Sequence, residues 1–272
     1  MNASPIPLTA PPPWRVAHFE TLDSTSEEAR RRALAGDPGR LWIVAGEQTE
    51  GRGRRGRTWV SPKGNLYASA LMIDPCAPAA AAQLGFVAGV ALARAAEDVG
   101  AAGVRLKWPN DLVLEGAKCA GLLVEGVSLG AKRLACVVGI GVNCECAPGG
   151  LDYPTARLTD QGGSPTTRGA LFERLASRFD EALEQWRAGT GFAPIRLAWL
   201  AKAAALGGPI RIENHNGRRE GTFEGLDVDG RLLFRGTSGI ETVETADLWI
   251  LPALDRAPEP AAAGSHAREG PT

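Results

Sequence analysis

The sequence predicts an α+β protein with a β-rich C-terminal end. Up to about residue 206, short apolar runs of strand type alternate with helical patterns. From Pro209 the texture changes to short alternating strands joined at Asn216-Gly217 and Asp229-Gly230, dipeptides that favour hairpin turns. The length of 272 residues allows one large or two modest domains. The expected organisation is a tail over 1–13, a main domain over 14–206, a small β-barrel over 207–252 and a second tail over 253–272. Both tails are rich in proline and small residues and are expected to be disordered.

The elements follow in order. Val16–Phe19 reads as a strand, and Asp23-Ser24-Thr25-Ser26-Glu27-Glu28 as a helix start, since Ser24 with Glu27 and Thr25 with Glu28 both fit a capping box. Leu41–Ala45 and Leu66–Ile73 are strands flanking a glycine- and arginine-rich loop. Ala79–Val99 is apolar almost all round, which predicts a buried helix ended by Gly100. Short β runs follow at 103–107, 111–114, 120–125 and 133–139, with turns expected at Gly116 and across Gly126–Gly130. Leu171, Leu175, Phe179, Leu183 and Trp186 recur at helical spacing, giving an amphipathic helix over 167–188, and a further helix is expected over 193–206. Strands are then expected at 210–213, 219–226, 232–234, 241–243 and 248–251.

Composition narrows the function. Thirty basic and thirty-one acidic residues nearly cancel, so no global field draws the chain to nucleic acid or membrane. No run is expected to span a bilayer, and no leader pattern opens the chain, so a cytoplasmic location is the expectation. Cys76, Cys119, Cys136, Cys144 and Cys146 show no disulfide or zinc pattern and read as reduced thiols, with a metal at Cys144-x-Cys146 the alternative.

The segment Gly51-Arg52-Gly53-Arg54-Arg55-Gly56-Arg57-Thr58-Trp59 is the most informative stretch. Four guanidinium groups fall within six residues, interleaved with glycine and closed by tryptophan. Left unpaired they repel one another, which predicts a loop that orders around an anion. A P-loop is excluded because Arg57 replaces the phosphate-binding lysine and a turn, Val60–Gly64, replaces the helix. Lys107-Trp108-Pro109-Asn110-Asp111 sits between two strands, where Asn110 and Asp111 either cap their own turn or serve a nucleotide and its magnesium. Lys118 precedes Ala120-Gly121, and Gly139-Ile140-Gly141-Val142-Asn143 is either a bulge or bare backbone on which a purine could stack beside Asn143.

These blocks together resemble the biotin protein ligases, from about Phe19 to Leu251. The resemblance rests on Gln48-Thr49-x-Gly51-Arg52-Gly53-Arg54-Arg55-Gly56-Arg57-x-Trp59, on Lys107-Trp108-Pro109-Asn110-Asp111-Leu112, and on Lys118-x-Ala120-Gly121-Leu122-Leu123-Val124-Glu125. It implies a mixed-sheet catalytic domain of the biotin/lipoate ligase type with an SH3-like C-terminal barrel. It also implies ATP and biotin as substrates, magnesium with the ATP, and formation of biotinyl-5′-AMP. Lys118, Arg52 and Arg54 would be catalytic. Ser24, Thr25, Ser26, Gln48, Gly51, Arg52, Gly53, Arg54, Lys118, Gly121 and Leu122 would hold biotin. Arg55, Arg57, Trp59, Lys107, Asn110, Asp111 and Asn143 would hold ATP. Ser26 stands where the family commonly has Asn. The implied partner is the biotin carboxyl carrier domain of a carboxylase of the acetyl-CoA carboxylase type, with a homodimer left open. About twenty mostly proline-rich residues precede Ser24, too few for the winged helix-turn-helix of repressor-type relatives, so no sequence-specific DNA binding is expected. The rival readings are a lipoate or octanoate ligase of the same superfamily and a non-catalytic binder of single-stranded RNA.

Overall fold

The computed structural model describes residues 8–161, 168–215 and 217–251. Residues 162–167, Asn216, the last expected barrel residue Pro252 and both expected tails, apart from residues 8–13, lie outside them. The main sheet is built from β1 (Arg15–Leu22), β2 (Leu41–Gln48), β3 (Leu66–Ile73), β4 (Val104–Lys107), β5 (Asp111–Leu114), β6 (Ala117–Ser128) and β7 (Leu134–Val142). Its order is β1-β2-β3-β7-β6-β5-β4. β1 and β2 run parallel and the other pairs antiparallel, so the sheet is mixed as expected.

Residue parity sorts the side chains between the two faces. Trp42 and Val44 on β2, Ala68, Ala70 and Met72 on β3, and Val138, Ile140 and Val142 on β7 enter the larger core. That core is completed by α2 (Leu84–Asp98), α3 (Arg168–Trp186) and α4 (Phe192–Ala201). Within it Trp14, Trp42, Phe172 and Phe179 pack with ring centroids 5.3–5.8 Å apart. Such aromatic contacts add about 0.5–1.5 kcal/mol each beyond area burial.

On the opposite face, α1 (Thr25–Leu34) packs Ala29 and Ala33 against Leu41, Ile43, Leu71, Ala135 and Val137. This helix is only ten residues long and leaves part of the face uncovered. The uncovered part carries Gly121, Leu123, Gly139 and Gly141, with Gly121 opposite Gly141 and Leu123 opposite Gly139 across the β6–β7 ladder. A floor of nearly bare backbone therefore begins where the N-terminus of α1 ends.

Several boundaries differ from expectation. The helix expected from Ala79 starts as a 3-10 segment, Pro78–Gln83, and becomes α-helical at Leu84. Contrary to the expectation that no run could span a bilayer, Pro78–Asp98 is long and apolar enough by length and composition; most of it is buried inside the fold as a core element. Gly126 does not turn the chain, because β6 continues through it in register with Cys136. The last main-domain helix ends at Ala201 instead of Leu206, where β4 captures the chain: Leu106 N–H donates to the Lys202 carbonyl and Ala204 N–H to the Leu106 carbonyl.

The C-terminal strands β8 (Pro209–Asn214), β9 (Gly217–Leu226), β10 (Leu232–Gly236), β11 (Gly239–Val243) and β12 (Asp247–Ile250) form an antiparallel sheet ordered β11-β10-β9-β8-β12. This is the module expected to be SH3-like. Ile210, Ile212, Phe223, Leu226 and Phe234 join the same core as the main sheet. Trp108 Nε1 donates to the Gly230 carbonyl at 3.2 Å, and Arg196 donates to the Leu226 carbonyl at 2.8 Å.

Candidate active site

A cleft of about 1250 Å³, including its open mouth, lies over the glycine floor. Its walls are the start of α1, the arginine loop, the β4–β5 hairpin and the first residues of β12. One end is lined by hydroxyl and amide groups, the other by cations.

The hydroxyl end is a buried hydrogen-bond chain. Ser24 caps α1 by accepting from Glu27 N–H, and only this half of the expected capping box forms: Ser24 N–H donates to Asp23 instead of to Glu27. Arg31 beside Asp23 holds that carboxyl down at about 2. Ser69 Oγ donates to Thr25 Oγ1 at 2.8 Å, while Thr25 Oγ1 and N–H donate to Gln48 Oε1 at 3.0 and 2.8 Å. Gln48 Nε2 donates to Ser61 Oγ at 3.0 Å, and Ser61 Oγ to the Trp59 carbonyl at 2.9 Å. The Ser69 proton is thus committed to Thr25, so in the 3.1 Å contact between Ser26 and Ser69 it is Ser26 that donates. Ser26 Oγ keeps its lone pairs for the cleft. A Cβ on Gly139 would stand 2.6 Å from that oxygen, so the floor must be glycine there.

At the cationic end every loop arginine has a protein partner. Arg52 pairs with Glu27 at 3.1 Å and Glu125 at 3.2 Å. Arg54 donates to Asn110 Oδ1 at 3.1 Å and Thr245 Oγ1 at 2.8 Å. Arg55 meets Asp247 at 3.0 Å, and Arg57 pairs with the same carboxylate. Burial, reinforced by neighbouring Arg55, lowers the Arg54 guanidinium from its ordinary value. The repulsion foreseen from sequence is thus answered by acidic and polar groups supplied from α1, β6, the β4–β5 hairpin and the C-terminal module.

Lys118 stands at the junction of the two ends. Its ammonium lies 2.8 Å from Asp111 Oδ1 and faces the rings of Trp59 and Tyr153 at 5.4 and 5.5 Å. Lys107 is 3.7 Å from Asp111 Oδ2, and burial pulls its pKa down against that carboxylate. The Trp59 indole lies on the floor itself: a Cβ on Gly141 would sit 2.4 Å from its Nε1, and one on Gly121 3.0 Å from its Cζ3. The ring takes the place expected for a stacked purine, and Trp59 becomes the wall between the main cleft and a smaller cavity lined by Val60, Lys118, Asn143, Leu151, Tyr153 and Thr155.

The cleft brings together Ser24, Thr25, Ser26, Gln48, Arg52, Gly53, Arg54, Arg57, Trp59, Lys107, Asn110, Asp111, Lys118, Gly121 and Leu122. Three residues named from sequence lie elsewhere. Gly51 closes the base of the loop, its carbonyl accepting from Trp59 N–H, with no room for a Cβ 2.3 Å from the Trp59 carbonyl. Arg55 adopts a left-handed backbone at φ 56° and reaches Asp247 from outside the cleft lining. Asn143 is buried in the smaller cavity, with Nδ2 donating to the Ala156 carbonyl and Oδ1 lacking a donor. Residues 139–142 are regular strand and not a bulge, and Asn143 follows the end of β7. Asp152, Tyr153, Asp247, Leu248 and Trp249 also line the cleft, and sequence reasoning missed them. Asp152 and Tyr153 sit in a loop without periodicity, and the β12 residues come from a module read only as an appendage. Cys144 is buried in the core, where desolvation pushes its thiol to about 12, and the Cys146 thiol faces the Lys63 carbonyl.

The sequence and the fold resemble those of known proteins. Residues 19–143 match the Biotin/lipoate A/B protein ligase family. The chain is 42% identical over 235 residues to a biotin--[acetyl-CoA-carboxylase] ligase of Paracoccus denitrificans, covering 84% of this chain and 97% of that one. It is 32% identical over 229 residues to the bifunctional ligase/repressor BirA of Escherichia coli K12, covering 80% of this chain and 68% of that one. A biotin protein ligase from Aquifex aeolicus, solved in complex with biotin and ATP, superposes with a TM-score of 0.76 at 27% identity, over 87% of this chain and 99% of that one. By sequence and by fold, the chain belongs to the biotin protein ligases of the Biotin/lipoate A/B protein ligase family.

Proposed function

We infer that this protein activates biotin with ATP and transfers it to a lysine of a carrier domain. The observation that carries the reading is the position of Lys118, at the join between a hydroxyl-lined pocket and a cationic one. The biotin ring fits the floor at Gly139 and Leu123, beside the indole that covers Gly121, with an N–H of its ureido group donating to the free lone pairs of Ser26 and the Thr25–Gln48 pair beside it. The shorter Ser26 serves this contact because Ser69 orients it.

The carboxylate of biotin then points toward Lys118. Its oxygen attacks the α-phosphorus of ATP, the bond to the β-phosphate oxygen breaks, and pyrophosphate leaves. Negative charge builds on the phosphate oxygens, where Lys118, Arg54, Arg57 and Lys107 converge. Lys118 exchanges its contact with Asp111 for the phosphate and carboxylate oxygens. Adenine fits the Asn143 cavity, whose orphaned Oδ1 would accept from the exocyclic amino group once the indole and Tyr153 make room. Magnesium would arrive with the nucleotide, and the carboxylates of Asp111, Asp152 and Asp247 line that end. In the second half-reaction the carrier's lysine amine attacks the acyl carbon and AMP leaves. The protein supplies no nucleophile; it supplies position, charge and exclusion of water.

The proposed partner is a carrier domain of the acetyl-CoA carboxylase type, in the cytoplasm and without sequence-specific DNA. The edge of β1, which pairs with no further strand among the described residues, is the surface a homodimer would use; the β4 edge is taken by residues 202–204. Exchange of labelled pyrophosphate into ATP tests the reading: it should require biotin and be negligible with lipoate. Exchange driven by lipoate would move the protein to the sister activity, and high-affinity binding of an RNA oligonucleotide without exchange would remove it from enzymes.

A further inference from the structure

We propose that Asn65 is a positioning residue that sets the nucleotide side of the site by joining the foot of the arginine loop to the foot of the Tyr153 loop. The proposal rests on the reading that ATP occupies this end. Asn65 is fully buried, one residue before β3 and six after Trp59. Its Oδ1 accepts the backbone N–H groups of Cys144, Glu145 and Cys146 at 2.9, 3.1 and 3.0 Å. Its Nδ2 donates to the Cys146 carbonyl at 2.8 Å. Three successive amides converging on one point form a nest that attracts an anion or a strong acceptor, and here a carboxamide oxygen fills it. Buried amides must be satisfied, and Asn65 satisfies all three of these, while Thr159 Oγ1 donates to the Cys144 carbonyl from the other side at 3.0 Å.

The chain on either side of this nest reaches the two cavities that Trp59 divides. Asn143, immediately before it, places its side chain in the cavity beside Trp59. The far foot of the loop is tied to β6, with Lys118 N–H donating to the Pro154 carbonyl and Ala156 N–H to the Lys118 carbonyl. Between the two feet, Asp152 and Tyr153 line the cleft and the Tyr153 ring faces the Lys118 ammonium. Asn65 also sits on the exit limb of the arginine loop, where Tyr67 Oη donates to the Pro62 carbonyl at 2.7 Å and Cys146 Sγ contacts the Lys63 carbonyl at 3.6 Å. The two loops that face each other across the nucleotide end therefore share one anchor. Of the nearest substitutes, Asp can fill the nest while losing one donor, Leu matches the volume while orphaning all three amides, and Ala leaves a hole.

The test compares Asn65→Leu and Asn65→Asp with the parent in biotin-dependent pyrophosphate exchange, and follows amide hydrogen exchange at 144–146. Asn65→Leu should raise the KM for ATP on the order of tenfold, the effect of one lost oriented contact, with the KM for biotin within about twofold. Its amides at 144–146 should lose protection, and Asn65→Asp should restore both readouts to within about threefold of the parent. Unchanged protection in Asn65→Leu would overturn the anchor, and so would equal rises in both KM values that Asp does not rescue. Lost protection with an unmoved ATP KM would also overturn the proposal, by separating the anchor from the nucleotide. Absence of biotin-dependent exchange in the parent itself would instead defeat the functional reading, a distinct result.

Discussion

Asp247 holds two of the four loop arginines from a different sheet, and its removal gives a sharp test of how the loop is kept over the cleft. Arg55 and Arg57 side chains are 40% and 59% exposed, whereas Asp247 is 17% exposed. Pairs of such exposure contribute about 0.2–1 kcal/mol each, so Asp247→Ala should cost the closed loop roughly 1 kcal/mol, a factor of about five in its open fraction. Three loop amides report closure through internal hydrogen bonds: Gly53 to the Arg57 carbonyl, Arg57 to the Arg54 carbonyl and Trp59 to the Gly51 carbonyl. Their hydrogen exchange should accelerate about fivefold in the variant, and the difference should shrink as salt rises, since these charges are screened. A double-mutant cycle with Arg57→Ala should return a coupling of about 0.5 kcal/mol. Exchange at those amides within twofold of the parent would refute the reasoning, as would equal acceleration in β8, where Glu213 pairs with Asp247 in register.

Three further outcomes are expected. Lys118→Ala should slow adenylate formation by on the order of a hundredfold while changing ATP binding far less; a single-turnover rate within threefold of the parent would remove Lys118 from the chemistry. Arg54→Gly, which loses the contacts to Asn110 and Thr245, should let biotinyl-5′-AMP escape, read as biotin on bystander lysines and slower labelling of the carrier; an adenylate retained as in the parent would make the loop a mere surface feature. Ser26→Ala should raise the KM for biotin by about tenfold with kcat and the KM for ATP preserved, since it removes one buried hydrogen bond. An unmoved biotin KM in titrations of pyrophosphate exchange would show that Ser26 does not face the ligand.

The sequence made the architecture and most of the cleft legible because local signals carried them. Leu66–Ile73 and Asp111–Leu114 were delimited residue for residue by apolar runs between turn formers. The arginine loop and the Lys107–Asp111 turn announced charge where charge is costly to collect. What stayed hidden depends on long-range pairing. Nothing near Asp247 in sequence says that it will meet Arg55 and Arg57, and nothing near Asn65 says that it will gather the amides of 144–146. Gly141 looked like space for a purine because sequence cannot say which ring will use the space; the register of β6 and β7 and the hairpin-like closure of the loop deliver Trp59 there. Gly126 misled in the opposite direction, since a glycine in a long ladder is held by its neighbours' hydrogen bonds and need not turn.

The continuity of the core across the two sheets has a consequence for how the molecule comes apart. Phe223 packs edge-on against Trp199 at 6.4 Å, Phe86 and Phe192 close over Gly230, and Gly207 N–H donates to the Phe223 carbonyl, so the seam between the sheets is bridged by rings and backbone alike. Partial unfolding that freed the C-terminal strands would expose water-shy surface on both sides at once and would carry Thr245 and Asp247 away from the arginines. The small module is therefore not an accessory that can be lost while the larger one idles. It is expected to melt with the cleft in one transition, and an excursion that opens the seam would also disarm the enzyme.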